Sequence, residues 1–186
     1  MKELSLNILD VAKNSVTAGA TLIRITLVTD EAGWLTLTIE DDGCGMSEET
    51  LQHVTDPFYT TRTTRKVGLG LPLLKLAAEQ TGGSLRIVSS QEQGNSGTSL
   101  TARFDTNSID CMPMGDIVST VVTLIAGSPT QDFVFSDVDR RKERNVYLDT
   151  RQMREILGDG VSLDALEIQM WMSEYLTEQY ANKTEN

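Results

Sequence analysis

Leu35, Leu37 and Ile39 alternate with Thr36 and Thr38 and then run into Glu40-Asp41-Asp42-Gly43-Cys44-Gly45-Met46. The alternation is that of a strand with one buried face, and it ends abruptly in acid followed by two glycines one residue apart. Such an ending fixes one carboxylate at the tip of a strand, while the glycines let another molecule approach the backbone closely. Asp and Gly are also ordinary turn residues, so on its own the stretch reads more readily as a strand closing in a tight turn. What surrounds it decides between the two.

Ahead of it, residues 3–18 read as a helix in which Leu4, Ile8, Val11 and Ser15 follow a core-facing stripe. Asn7, Asp10 and Asn14, spaced by three and four, form a second, polar stripe that faces either water or a site. Gly19 stops this helix in the manner of a left-handed cap. Ile23, Ile25 and Leu27 then alternate, Asp30-Glu31-Ala32-Gly33 turns, and residues 34–40 return as the second arm of a hairpin. After the glycines, Ser47 is placed to cap a short helix with Glu48 and Glu49 in its first turn.

Residues 56–71 are rich in hydroxyls and bases, end in Gly68-Leu69-Gly70-Leu71 and lead directly into a helix whose first turn holds Pro72. Backbone amides at a helix start, made accessible by glycine and flanked by Arg62, Arg65 and Lys66, suit an anion; the plain alternative is a solvated surface loop. The helix reaches about Thr81 and ends at Gly82-Gly83. Residues 84–88 and 99–104 form a second hairpin, whose long turn closes on Gly97-Thr98.

Charge and cysteine usage narrow the class. A net charge of −11 argues against general nucleic-acid binding, which needs a basic footprint. No apolar run approaches the roughly 18 residues of a membrane span, and the N-terminus lacks a signal pattern, so a cytoplasmic location is expected. Cys44 and Cys111 form neither a metal spacing nor a disulfide framework. The charge is uneven, with 13 acids and 9 bases in residues 1–106 against 14 and 7 in residues 107–186, which places a boundary near Asn107.

These pieces, in this order, resemble the GHKL family of ATP-binding domains, which takes in gyrase, histidine kinases, MutL and anti-sigma kinases. Residues 10–21 look like the family's first motif, Asp41 to Gly45 its adenine box, Pro57 to Thr61 and Gly68 to Leu71 its lid and second glycine box, and Gly97-Thr98 its last glycine box. The resemblance covers residues 1–106 and implies a two-layer α/β sandwich of the Bergerat, histidine kinase-like type, with helices on one face of a mixed sheet. It also implies the ligands, ATP and Mg2+. Asp41 would accept from the adenine amine with Thr98 in support, Gly43, Gly45 and Met46 would bracket base and ribose, and Asn14 would ligate magnesium. Thr60, Thr61, Arg62, Lys66, Gly68, Leu69, Gly70 and Leu71 would hold the phosphates. Asp10 stands where MutL-like and anti-sigma members carry a Glu general base, one methylene longer, and Asp42 stands where kinases often have Asn. His53, the single histidine, is not in a phosphoacceptor context. The implied function is Mg-dependent phosphoryl transfer, as an ATPase or a protein kinase of regulatory type; the alternative is an ATP-gated binding module without significant catalysis.

Residues 107–186 carry no catalytic motif and read as an α+β extension that serves packing or interaction. A helix is expected over 114–126, a third hairpin from Phe133-Val134-Phe135 and Val146-Tyr147-Leu148, and two helices capped by Thr150 and Ser162. The turn Arg140-Arg141-Lys142-Glu143-Arg144 reads as solvated charge. The whole chain is similar to stand-alone ATP-binding proteins of anaerobic bacteria. The expected partners are ATP, a protein partner or substrate and a second copy of the chain, with no nucleic acid and no membrane.

Overall fold

The structure, a computed structural model, describes residues 3–56, 70–158 and 160–181. The expected first hairpin is present as β1 (Leu22–Thr29) and β2 (Trp34–Asp41), and the second as β3 (Ser84–Ser90) and β4 (Gly97–Asp105). Two further strands, β5 (Asp132–Asp139) and β6 (Arg144–Asp149), make the expected third hairpin. All six lie in one sheet in the order β3-β4-β2-β1-β5-β6. The sheet is mixed, because β1 and β5 run parallel while the other neighbours are antiparallel.

A parallel pair needs a crossover. Here α4 (Ile117–Ala126) supplies it, lying between β4 and β5 and packing on α1 (Leu4–Thr17). Residues beyond Asn107 therefore continue the sheet and the helix layer of residues 1–106. The helices α3 (Gly70–Gln80), α1, α4 and α6 (Leu166–Ala181) pack in that order, each on the next. Two shorter helices, α2 (Glu48–His53) and α5 (Thr150–Leu157), lie outside that series.

The strands alternate as the sequence predicts. Ile23, Ile25 and Leu27 on β1, Leu35, Leu37 and Ile39 on β2, Leu100, Ala102 and Phe104 on β4, and Phe133 and Phe135 on β5 are buried in one cluster with Leu4, Ile8 and Val11 of α1. A one-residue slip would turn every one of these side chains outward, so the register is held by burial itself. The start of α1 is held differently. Its cap, Glu3, makes no side-chain cap bond; instead Leu4 N and Ser5 N donate to the carbonyls of Pro113 and Met114, at 3.0 and 2.8 Å. Helix-start amides need such partners, and the segment after Asn107 provides them.

Three helix boundaries in the second half differ from expectation, each for a local reason. α4 starts at Ile117, not Met114, because Asp116 accepts from Ser119 N at 2.9 Å. α5 is capped by Asp149 rather than Thr150, whose hydroxyl is drawn inward to accept from Phe133 N and to donate to Asp132. Ser162 caps no helix: its carbonyl closes a turn with Ala165 N, and α6 begins at Leu166.

The basic turn is also not uniformly solvated. Arg144 donates to the buried Asp137 at 3.0 Å and lies over the Tyr180 ring, 5.0 Å from its centroid. Tyr180, from the end of α6, donates to the same Asp137 oxygen at 2.7 Å. Burial, then the adjacent Asp137 charge, push the Tyr180 phenol well above its ordinary range, so it stays a donor. Beside this lock, Gln179 donates to and accepts from the Tyr147 backbone, closing part of the β6 edge against other strands. Tyr180→Phe, which leaves Arg144 in place but removes a hydrogen bond to a charged group, is expected to cost about 1.5–3 kcal/mol in urea unfolding; no change in midpoint would show that α6 is held by its apolar contacts alone.

Candidate functional site

Asp10 and Asn14 of the polar stripe, the tip of β2 and the start of α3 meet at a cavity of about 420 Å3; Asn7, the third member of that stripe, faces neither water nor this cavity but is fully buried. Asp10 and Asn14 line it from α1, Asp41 from β2, Thr98 from β4, Gly45 and Met46 from the loop after β2, and Gly70 and Leu71 from α3. Of the expected site residues among those described, Gly43 alone is not on the wall. Thr60, Thr61, Arg62, Lys66, Gly68 and Leu69 lie outside the described residues.

Asp41 is fixed at both oxygens. Ser15 Oγ donates to Oδ2 at 2.6 Å, and Gly43 N donates to Oδ1 at 3.0 Å. A carboxylate oxygen accepts more than one bond, so each keeps capacity for a donor in the cavity. Thr98 is the residue directly opposite Asp41 in the β2–β4 ladder. Its hydroxyl is 2.9 Å from Ser89 Oγ, which also accepts from Met46 N and donates to the Gly97 carbonyl. Ser89 thus ties the β2 loop, the β4 start and Thr98 into one network.

The glycines have local reasons that the sequence does not show. Gly45 has φ +68, and a Cβ there would sit 1.9 Å from the Ser90 carbonyl oxygen. A Cβ on Gly97 would meet the Asp41 carbonyl oxygen at 2.1 Å, and one on Gly43 would press on Ala18 and on Asp41 Oδ1, each at 3.0 Å. These three glycines let the strand ends and α1 close on one another. Close packing of the walls, as well as room for a ligand, accounts for them.

Asp42 turns away from the cavity. Its carboxylate accepts from Thr21 N at 2.7 Å, Leu22 N at 2.9 Å and the Thr21 hydroxyl, fastening the end of β2 to the start of β1. The partial burial of this carboxyl works to raise its pKa, but these donors outweigh it and hold the group below its ordinary value of 3.8. A depressed pKa means that Asp42 contributes stability above its unfolded value, and that the contribution is lost as pH falls through the lower folded value.

The cavity lining mixes apolar side chains, among them Ala18, Ile39, Val54, Ile87 and Leu100, with the polar groups of Asp10, Asn14 and Asp41. Along α1, Asp10 lies five residues, roughly 7.5 Å of helix rise, from Ser15. Asn14 offers one neutral oxygen there, and Asp10 a carboxylate. That donor set suits a hard ion that takes only one or two protein ligands and completes its shell with water and phosphate oxygens, as Mg2+ does. Among the described residues no group of three or more His, Cys, Asp and Glu is arranged to hold a metal by itself.

Reading the sequence alone missed Ser15 and Ser89. A serine on an otherwise apolar buried stripe was the available signal for Ser15, which is 5% exposed. Nothing in the local sequence marks Ser89. Cys44 also lines the cavity and is exposed.

Residues 1–108 match the family model described as histidine kinase-, DNA gyrase B-, and HSP90-like ATPase. The C4-dicarboxylate transport sensor protein DctB of Pseudomonas aeruginosa is 43% identical over 61 residues, which are 32% of this chain and 10% of that protein. The sensor histidine kinase CpxA of Escherichia coli is 32% identical over 76 residues, 38% of this chain and 16% of CpxA. Sporulation kinase E of Bacillus subtilis is 29% identical over 94 residues, 50% of this chain and 12% of the kinase. The chain thus spans a small part of the length of each relative. The crystal structure of the N terminal domain of a DNA repair protein superposes with a TM-score of 0.61 on 86% of this chain and 58% of that one, at 13% identity. That likeness of fold takes in more of the chain than residues 1–108 supply. Among the described residues no helix is long and apolar enough to cross a membrane.

Asp42→Asn is expected to flatten the loss of stability as pH falls below 3.8, because the group that takes up the proton on unfolding is gone. Urea unfolding of both proteins across that range measures it; parallel curves would remove Asp42 from the account.

Proposed function

Because the chain belongs to the histidine kinase-, DNA gyrase B-, and HSP90-like ATPase family over residues 1–108, we propose that it binds ATP in this cavity and acts as a regulatory phosphoryl-transfer protein, an ATPase or a protein kinase. The observation that carries the reading is the carboxylate of Asp41, held by Ser15 and Gly43 in the wall of a cavity that also has apolar lining. A carboxylate there accepts from the exocyclic amine of adenine, and the apolar walls bury the base. Thr98, opposite, supports that contact. The phosphates then run along α1 towards the amides at the start of α3, at Gly70 and Leu71.

Asn14 is the residue to hold Mg2+, which neutralises phosphate charge when bound. Asp10, one turn from Asn14 on the same face, is the general base, placed to take a proton from water or from a hydroxyl or imidazole of a protein substrate. The acidic surface of the chain favours a protein partner over nucleic acid. The cytoplasm is the compartment that supplies ATP and magnesium to such a site.

Calorimetry separates the parts of this reading. ATP should bind in preference to GTP, which presents a carbonyl to Asp41, and Asp41→Asn should weaken ATP by about 1.5–3 kcal/mol. Equal binding of the two nucleotides would overturn the assignment of Asp41.

Turnover tests Asp10. Asp10→Asn should leave ATP affinity nearly unchanged and lower hydrolysis or transfer by about 10²–10⁴. If wild type and variant hydrolyse equally slowly, with and without a protein substrate, Asp10 is no base and the protein is an ATP-gated binding module.

A further inference from the structure

Gly70 opens α3, and a Cβ placed on it would lie 2.0 Å from Asp10 Oδ2, 3.1 Å from Asp10 Cγ and 3.7 Å from Asp10 Cβ. Its three nearest neighbours are therefore all atoms of one side chain, sixty residues away in sequence. The backbone does not require glycine here. Gly70 is helical and is not among the residues with positive φ, so alanine fits its conformation and is the better helix former. What an alanine would meet is a carboxylate, which must turn aside to admit the methyl. The contact also has a favourable sign, since a negative group at the first residue of a helix interacts well with the helix dipole.

We propose that Gly70 is the positioning residue for Asp10: the missing side chain is a seat that holds the Asp10 carboxylate against the first turn of α3. The acid and the helix start then keep one fixed relation. On the reading of the cavity given above, on which this rests for its consequence, that relation aims Asp10 at the phosphate that α3 receives. Gly70→Ala pushes the carboxylate off its seat. Removing the carboxylate makes the same substitution harmless, because the remaining Asp10 Cβ at 3.7 Å is an ordinary van der Waals neighbour.

A double-mutant cycle on the full chain, with wild type, Gly70→Ala, Asp10→Ala and the double variant, tests the seat through thermal unfolding and through ATP turnover with magnesium. In the wild-type background Gly70→Ala should lower Tm by about 1–4 °C, because the carboxylate must leave the helix start to admit the methyl. It should also lower hydrolysis or transfer about tenfold or more while leaving ATP affinity nearly unchanged. With Asp10→Ala already present, the sign of the thermal effect should reverse. Gly70→Ala should then leave Tm unchanged or raise it, and turnover should stay within about twofold of Asp10→Ala alone. Equal losses in both backgrounds would mean that the helix-start amides, not the seat, demand glycine, and would overturn the proposal, as would no loss in either. Failure of Gly70→Ala to fold supports the seat if the double variant folds, and overturns it if the double variant also fails. Should wild type bind no ATP at all, the nucleotide reading falls by that result, while the thermal cycle still decides whether the contact between Gly70 and Asp10 holds.

Discussion

The hydrogen bond from Ser15 to Asp41 joins the two layers at the point where the cavity begins. Ser15 belongs to the buried stripe of α1, and Asp41 is the last residue of β2. One short contact therefore sets how the helix lies over the strand tips. It orients the carboxylate, and it also places Asn14 and Asp10, which follow from Ser15 by helical geometry alone. A polar bond in such a place is stringent, because an unpaired buried group costs more than the bond is worth when made. The apolar remainder of the α1 stripe supplies adhesion; Ser15 supplies the register between helix and sheet.

The glycines around this contact show how close packing and ligand space are related. Gly43, Gly45 and Gly97 allow the β2 loop, the β4 start and the end of α1 to approach to distances that any side chain would prevent. The walls are consequently drawn together there, with Ser89 bridging the loop and β4. Gly70 does the same between α3 and Asp10. The cavity is bounded by close approaches at these glycines, and Ile39 of β2 and Leu100 of β4 contribute apolar lining.

Residues 107–181 are integral to this frame. They complete the sheet through the parallel pairing of β5 on β1, and they satisfy the first amides of α1 through Pro113 and Met114. The helix carrying Asp10, Asn14 and Ser15 is thus anchored at its start by the later part of the chain and at its end by Asp41. The lock of Tyr180 and Arg144 on Asp137 fastens the last helix to the same sheet. The composition turns more acidic after Asn107, while the core runs through without a break.

The sequence by itself determined what is local. Alternation fixed three hairpins and their buried faces, the helical stripe of α1 put Asp10 and Asn14 on one side, and the order of short motifs indicated the kind of cavity they share. Periodicity of two or of 3.6 is carried by neighbouring residues, so it can be read without knowing the fold. Tertiary structure alone decided which distant groups meet. Ser15 on Asp41, Thr98 across from Asp41, β5 alongside β1 and Gly70 against Asp10 join residues from 26 to more than a hundred positions apart. No local preference encodes such a meeting. Gly70 could be read in the chain as a residue for bare amides, but that its missing Cβ is the space for a particular carboxylate follows only from how α3 is laid on α1, which the burial of their apolar faces decides.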